Sequence, residues 1–216
     1  MIYIHHHLGL GDHIVCNGLV RALYEQHGEV TLAVKHHNYP SVKQLYRDLE
    51  NMHFHKVTSD AECIAEYSKQ PFIRIGFENC RTDWEESFYD QLGLDYSDRF
   101  SRFHIDRDLK RESTLEEKLN LPEEFAFCNS SASTGKKDIS FKTDLTIIEL
   151  EPLSDSIFDW IGVLEKATEI HTIDSSIFQL LKQIPVTGKK FFYDTRAADP
   201  SRTIPTFEDS TWEILK

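Results

Sequence analysis

Met1-Ile-Tyr-Ile-His-His-His-Leu-Gly-Leu-Gly-Asp12-His-Ile-Val-Cys-Asn-Gly-Leu-Val-Arg-Ala-Leu23 opens the chain with the pattern strand, glycine turn, helix. Residues 2–7 carry the β-branched and aromatic side chains that suit a buried first strand, and Gly9 and Gly11 supply backbone freedom for a turn. Ile14, Leu19, Val20 and Leu23 then recur at helical spacing. Such a corner aims free backbone N–H groups, and the residue after the second glycine, into the crevice at the carboxyl end of a sheet. That residue is Asp12. The glycines approach the dinucleotide fingerprint but miss it: Ile14 stands where a third glycine belongs, and no ribose-binding acid follows a second strand at a suitable distance.

Strands and helices alternate beyond this corner. Residues 30–34, 52–57 and 71–77 read as strands, with helices from residues 38–40 through Leu49, and over 61–67. A helix carrying Trp84, Phe88, Tyr89 and Leu92 packs across the sheet, and the highly charged residues 96–122 read as a linker followed by a solvated helix. The α/β logic resumes after Pro122, with strands at 125–128, 145–150, 170–173 and 191–193, helices at 156–167 and after Ser176, and a terminal helix at 212–215. The expected fold class is α/β, with two small Rossmann-like lobes of mostly parallel strands over residues 1–95 and 123–216.

Composition narrows the function. A chain of 216 residues with a formal charge of -12 argues against non-specific binding to nucleic acid or an anionic membrane, which draws on clustered Lys and Arg. No apolar run approaches the roughly 18 to 20 residues of a membrane span. Cys16, Cys63, Cys80 and Cys128 form no C-x-x-C pair, so neither a zinc knuckle nor a disulfide scaffold is indicated, and a cytoplasmic location is expected.

A second motif, Ile173-Asp-Ser-Ser-Ile-Phe-Gln-Leu-Leu181, runs from strand into helix. Asp174, Ser175 and Ser176 stand where helix N–H groups and hydroxyls can receive phosphate oxygens, or where they merely cap the helix. The polar stretch Asn129-Ser-Ser-Ala-Ser-Thr-Gly-Lys-Lys137 follows the first strand of the second half. Ser130, Ser131, Lys136 and Lys137 are donor-phosphate candidates on it, set against the plainer reading of two solvated lysines. It is no Walker A loop, since no Ser or Thr follows Lys136.

The Leu10-Gly11-Asp12 corner with its helix, and Asp174-Ser175-Ser176 in the second half, together resemble GT-B glycosyltransferases of the heptosyltransferase-like kind. The resemblance implies a reduced GT-B arrangement and transfer of a sugar from a nucleotide-diphosphate donor to a hydroxyl of a glycan or glycolipid, with inversion. It implies Asp12 as general base, Gly11, His13, Asn17 and His7 on the acceptor side, and the Asp174 and Lys136 regions on the donor. It calls for no cofactor, no metal, no nucleic acid, and at most peripheral membrane contact. Ser176 stands where the family usually has glycine, and Gln179 where it commonly has histidine.

Other signals compete. Asp106-Arg107-Asp108 has the D-x-D spacing with which metal-dependent GT-A transferases hold a cation and a diphosphate, though it also suits a solvated helix start. His5 with His7, and His53 with His55, share strand faces, but no third ligand accompanies either pair. A sugar-nucleotide epimerase and a non-catalytic nucleotide-binding protein are further alternatives.

Overall fold

The structure, a computed structural model, describes residues 1–196, 207 and 211–215. The chain divides into two compact units, Met1–Asp106 and Arg107–Lys216.

The first unit contains β1 (Ile2–His5), α1 (Leu10–Val15), α2 (Asn17–His27), β2 (Val30–Lys35), α3 (Tyr39–Leu45), β3 (Met52–Val57), α4 (Asp60–Tyr67), β4 (Phe72–Arg74), α5 (Trp84–Asp90) and α6 (Asp98–Ser101). Its four strands are all parallel, in the order β3-β2-β1-β4, with Ile4 paired to Leu32 on one side and Ile73 on the other. Ile4, Leu32, Ala33 and Val34 are buried, as a parallel sheet covered by helices requires. The chain walks outward from β1 through β2 to β3, then returns to place β4 on the opposite side of β1. The direction of winding therefore reverses between β1 and β4.

The second unit contains α7 (Leu109–Leu119), β5 (Phe125–Asn129), the short hairpin of β6 (Ser131–Ala132) and β7 (Gly135–Lys136), and β8 (Thr146–Glu149). It continues with α8 (Ile161–Lys166), β9 (Glu169–Ile173), α9 (Ser176–Leu181), β10 (Lys189–Tyr193) and β11 (Trp212–Leu215). Its main sheet is again parallel, in the order β11-β10-β9-β5-β8. Here the chain leaves β5 for β8 on one side and returns to β9 on the other, so winding reverses between β5 and β9. Open α/β sheets take their ligands outside the carboxyl ends of the strands at such reversals.

The α/β class with two mostly parallel sheets agrees with the sequence expectation, and three local readings are corrected. Residues 212–215 form a strand, not a helix: Trp212 pairs with Lys190 and Leu215 with Tyr193 along an edge that β10 leaves open. One isolated helical turn gains little, whereas four residues in register complete a ladder. Gly11 lies inside α1 instead of in the turn, because the helix starts at Leu10 with Gly9 as its N-cap.

The third correction concerns the charged stretch 96–122, which is not a free linker. Its first part, α6, buries Arg99 against α5 and runs so close to α2 that a Cβ on Gly18 would lie 2.3 Å from the Asp98 carbonyl. Its second part, α7, buries Leu115 and Glu112 in the second unit.

Candidate functional sites at the two sheet reversals

In the first unit β1 ends at His5, and residues 6–9 lead from it into α1 at the carboxyl end of the sheet. His7 reaches the β4 side, with Nε2 2.7 Å from the Gly76 carbonyl, and its ring packs between Phe77 and Phe88. Gly76 has φ of +86°, a conformation that favours glycine, and a Cβ there would strike the Phe88 ring at 2.5 Å. Asn38 Nδ2 donates to the Leu8 carbonyl at 2.9 Å and holds the turn from the other side.

Asp12 sits in the first turn of α1, partly exposed, with Oδ1 3.9 Å from His7 Nδ1. Its carboxylate folds back over the start of the helix, where a Cβ on Gly9 would lie 2.4 Å from Oδ2. Gly9 is thus the residue that lets the carboxylate occupy this place. Asp12, His7 and Gly11 are the solvent-reaching members of the expected acceptor group.

His13 and Asn17 are not. Both are fully buried, because the inner faces of α1 and α2 turn them into the unit. Asn17 Oδ1 accepts from Arg21 Nε and from the His104 backbone N–H, which gives it a structural task. His13 stands edge-on to His6 with ring centroids 4.5 Å apart. His6 Nδ1 donates to the His7 carbonyl at 2.7 Å, while His6 Nε2 and both His13 nitrogens find no hydrogen-bond partner among the described residues.

Burial lowers the His6 pKa to about 4 and drives that of His13 well below the ordinary 6.5, so both rings are neutral in the fold. Unfolding frees them to bind protons below pH 6.5. The unfolded chain then carries more protons than the native one, and stability present above pH 6.5 is lost as pH falls toward 4. From the His6 shift alone the loss is about 3 kcal/mol. Urea midpoints measured across that range should fall steeply in the wild type and less steeply in His13→Met. Parallel pH dependence in the two proteins would remove His13 from the account.

The paired histidines on strand faces do not converge on a metal. His5 Nε2 bonds Asp60 at 2.9 Å, His53 bonds Glu29 at 3.1 Å, and His55 lies against Tyr67. Among the described residues no group of three or more His, Cys, Asp or Glu side chains is arranged to hold a metal ion. Asp106 pairs with Arg47 at 2.8 Å, and Asp108 caps α7 by accepting from the Arg111 N–H. The two carboxylates of the D-x-D spacing thus serve separate structural contacts.

In the second unit the reversal between β5 and β9 gathers Asn129, Ser130, Asp174 and Ser175. Ser175 is the N-cap of α9, accepting from the Phe178 N–H, and Asn129 Nδ2 donates to its Oγ at 2.8 Å. Those two contacts use Ser175 as acceptor, which leaves its hydroxyl proton to donate outward. Ser176 opens the helix. Asp174 Oδ2 accepts from Arg196 Nη1 at 3.3 Å.

The polar stretch after β5 folds back as the β6–β7 hairpin, with the Lys137 N–H donating to the Ser130 carbonyl. Ser130 is largely buried and Ser131 exposed. Lys136 is not a loose cation: its Nζ pairs with Glu149 at 3.0 Å, which holds its pKa above the usual lysine value.

Asn129 and Arg196 were not singled out as site residues by sequence reasoning. The available signal was their place at or just after the carboxyl ends of β5 and β10, adjacent to β9 on either side.

No protein-family model matches the sequence, and no curated protein sequence does. Among solved structures, the chain is similar to the crystal structure of the glycosyl transferase family 9 protein from Veillonella parvula DSM 2008, with a TM-score of 0.53 and 10% identity. The likeness covers 89% of this chain and 79% of that one, and it is a likeness of fold. Among the described residues no helix is long and apolar enough to cross a membrane.

Proposed function

We propose that this protein is a glycosyltransferase that moves a sugar from a nucleotide-diphosphate donor to a hydroxyl acceptor, with Asp12 as general base. The observation that carries the reading is positional. Each of two parallel sheets brings one sequence motif to its winding reversal: Asp12 with His7 in the first, and Asp174-Ser175 with Asn129 in the second. The fold likeness to a protein described as a family 9 glycosyl transferase agrees with it.

In this reading the second unit receives the donor diphosphate. The outward hydroxyl of Ser175, the backbone N–H groups around Ser176, and Arg196 and Lys137 supply donors and positive charge as the phosphate leaves. The first unit supplies Asp12, which removes the acceptor proton as the hydroxyl oxygen attacks the anomeric carbon. Direct displacement inverts that centre.

A thermal-shift panel of UDP, GDP, ADP, CMP and dTDP, with and without EDTA, tests the donor half. A nucleotide at 100 times its dissociation constant adds about 2.7 kcal/mol, enough to raise the midpoint by several degrees. One selective, EDTA-resistant shift is expected. A shift that EDTA abolishes would favour metal-dependent transfer, and no shift with any nucleotide would remove the donor site.

A further inference from the structure

The contacts of His7 fix more than its position. A carbonyl oxygen only accepts hydrogen bonds, so the 2.7 Å contact with Gly76 requires His7 Nε2 to carry the proton. In the neutral ring Nδ1 is then an unprotonated base, and it is this nitrogen that stands 3.9 Å from Asp12 Oδ1. Both side chains reach solvent, at 43% and 22% exposure, so a hydroxyl can approach either. The ring cannot easily turn away: Phe77 and Phe88 flank it, and the Gly76 N–H is itself held by Gln91 Oε1 at 3.0 Å.

We infer that His7 and Asp12 form one proton-accepting unit, in which His7 Nδ1 holds the proton that Asp12 takes from the acceptor. The inference rests on the glycosyl-transfer reading above. As the acceptor oxygen bonds to the anomeric carbon, the bond from that carbon to the diphosphate oxygen breaks, and the nucleoside diphosphate departs with the electron pair. The hydroxyl proton passes to the Asp12 carboxylate and then to Nδ1. This leaves a carboxylate beside an imidazolium whose two N–H groups face Asp12 and Gly76. A modest closing of the 3.9 Å gap suffices, as catalytic contacts often tighten once substrate is bound. The imidazolium then releases its proton to water, and the pair is reset. His7 is on this account a positioning residue that acts through Asp12, not a contact to the sugar.

Two measurements test it. Long-range ¹H–¹⁵N correlation of the His7 ring at alkaline pH, assigned with His7→Gln, needs no substrate. It should show Nε2 protonated and Nδ1 bare, and an Nδ1–H tautomer overturns the inference. The second follows nucleotide release from UDP-glucose, GDP-mannose, ADP-glucose and dTDP-glucose with water as acceptor. His7→Ala should lose about 10²-fold in kcat with the donor KM unchanged, and excess imidazole should restore about tenfold by filling the space of the lost ring. Imidazole should not rescue Asp12→Asn. Undiminished kcat in His7→Ala, or a loss that imidazole does not repair, overturns the proton-holding role. If the wild type releases no nucleotide from any donor, the glycosyl-transfer reading falls first, while the tautomer still decides whether the pair is built as described.

Discussion

Asp12→Asn should lower turnover by about 10²- to 10⁴-fold and leave nucleotide binding unchanged, the signature of a lost general base. Asparagine keeps the shape of the side chain, so the close approach over Gly9, where a Cβ would meet Oδ2 at 2.4 Å, persists in the variant. The first turn of the helix is closed by the backbone, with the His13 N–H bonding the Gly9 carbonyl at 3.1 Å. On the proposed mechanism, what disappears is the capacity to take a proton and pass it toward His7. The check pairs nucleotide release from the donor with a thermal shift by the corresponding nucleotide. An unaltered shift with collapsed release supports the assignment, and release at the wild-type rate refutes it. Loss of both together would point to a folding defect instead.

The fold was legible in the sequence wherever physical periodicity is strong. Buried parallel strands are continuous apolar runs, as in Val30-Thr-Leu-Ala-Val34, and amphipathic helices repeat near every third and fourth residue, so the alternation of both was readable. The corners that follow β1 and β9 were within reach too, because glycines and short polar residues mark them, whereas the strand order that makes them reversals was not.

Less accessible was which way a polar side chain faces. His13 and Asn17 lie one helical turn apart and turn inward together, yet nothing local distinguishes a buried histidine from a solvated one. Arg99 in a run of charges reads as solvated until α5 supplies Glu85 from 14 positions earlier. Asn129 and Arg196 acquire meaning only when β5, β9 and β10 are laid side by side. Residues 212–215 were misread because a short apolar run fits one turn of helix or a strand equally well, and only the open edge of β10 decides.

The buried pair of Arg99 and Glu85 should give the largest stability effect. The two side chains are 0% and 1% exposed, and Tyr96 completes the group, with its hydroxyl donating to Glu85 Oε2 at 3.0 Å and lying 2.6 Å from Arg99 Nη1. Glu85→Ala removes one partner of a guanidinium sealed from water, and breaking a buried ion pair from one side typically costs about 3 to 5 kcal/mol. Against a total stability of about 5 to 15 kcal/mol that is a large share.

The consequence extends to the site, because Glu85 belongs to α5. The same helix sends Phe88 against the His7 ring, and its Tyr89 hydroxyl donates to the Val15 carbonyl at the end of α1, the helix that carries Asp12. Urea unfolding should therefore show Glu85→Ala strongly destabilised, with turnover falling at temperatures where the wild type is still fully active. Replacing both partners by apolar residues of similar volume, Glu85→Leu with Arg99→Met, should recover much of the stability, since the pair is then removed as a whole and not from one side. A Glu85→Ala protein within about 1 kcal/mol of the wild type would mean that Arg99 is satisfied without Glu85. In that case the support that α5 gives to His7 and Asp12 would have to come from Phe88 and Tyr89 alone.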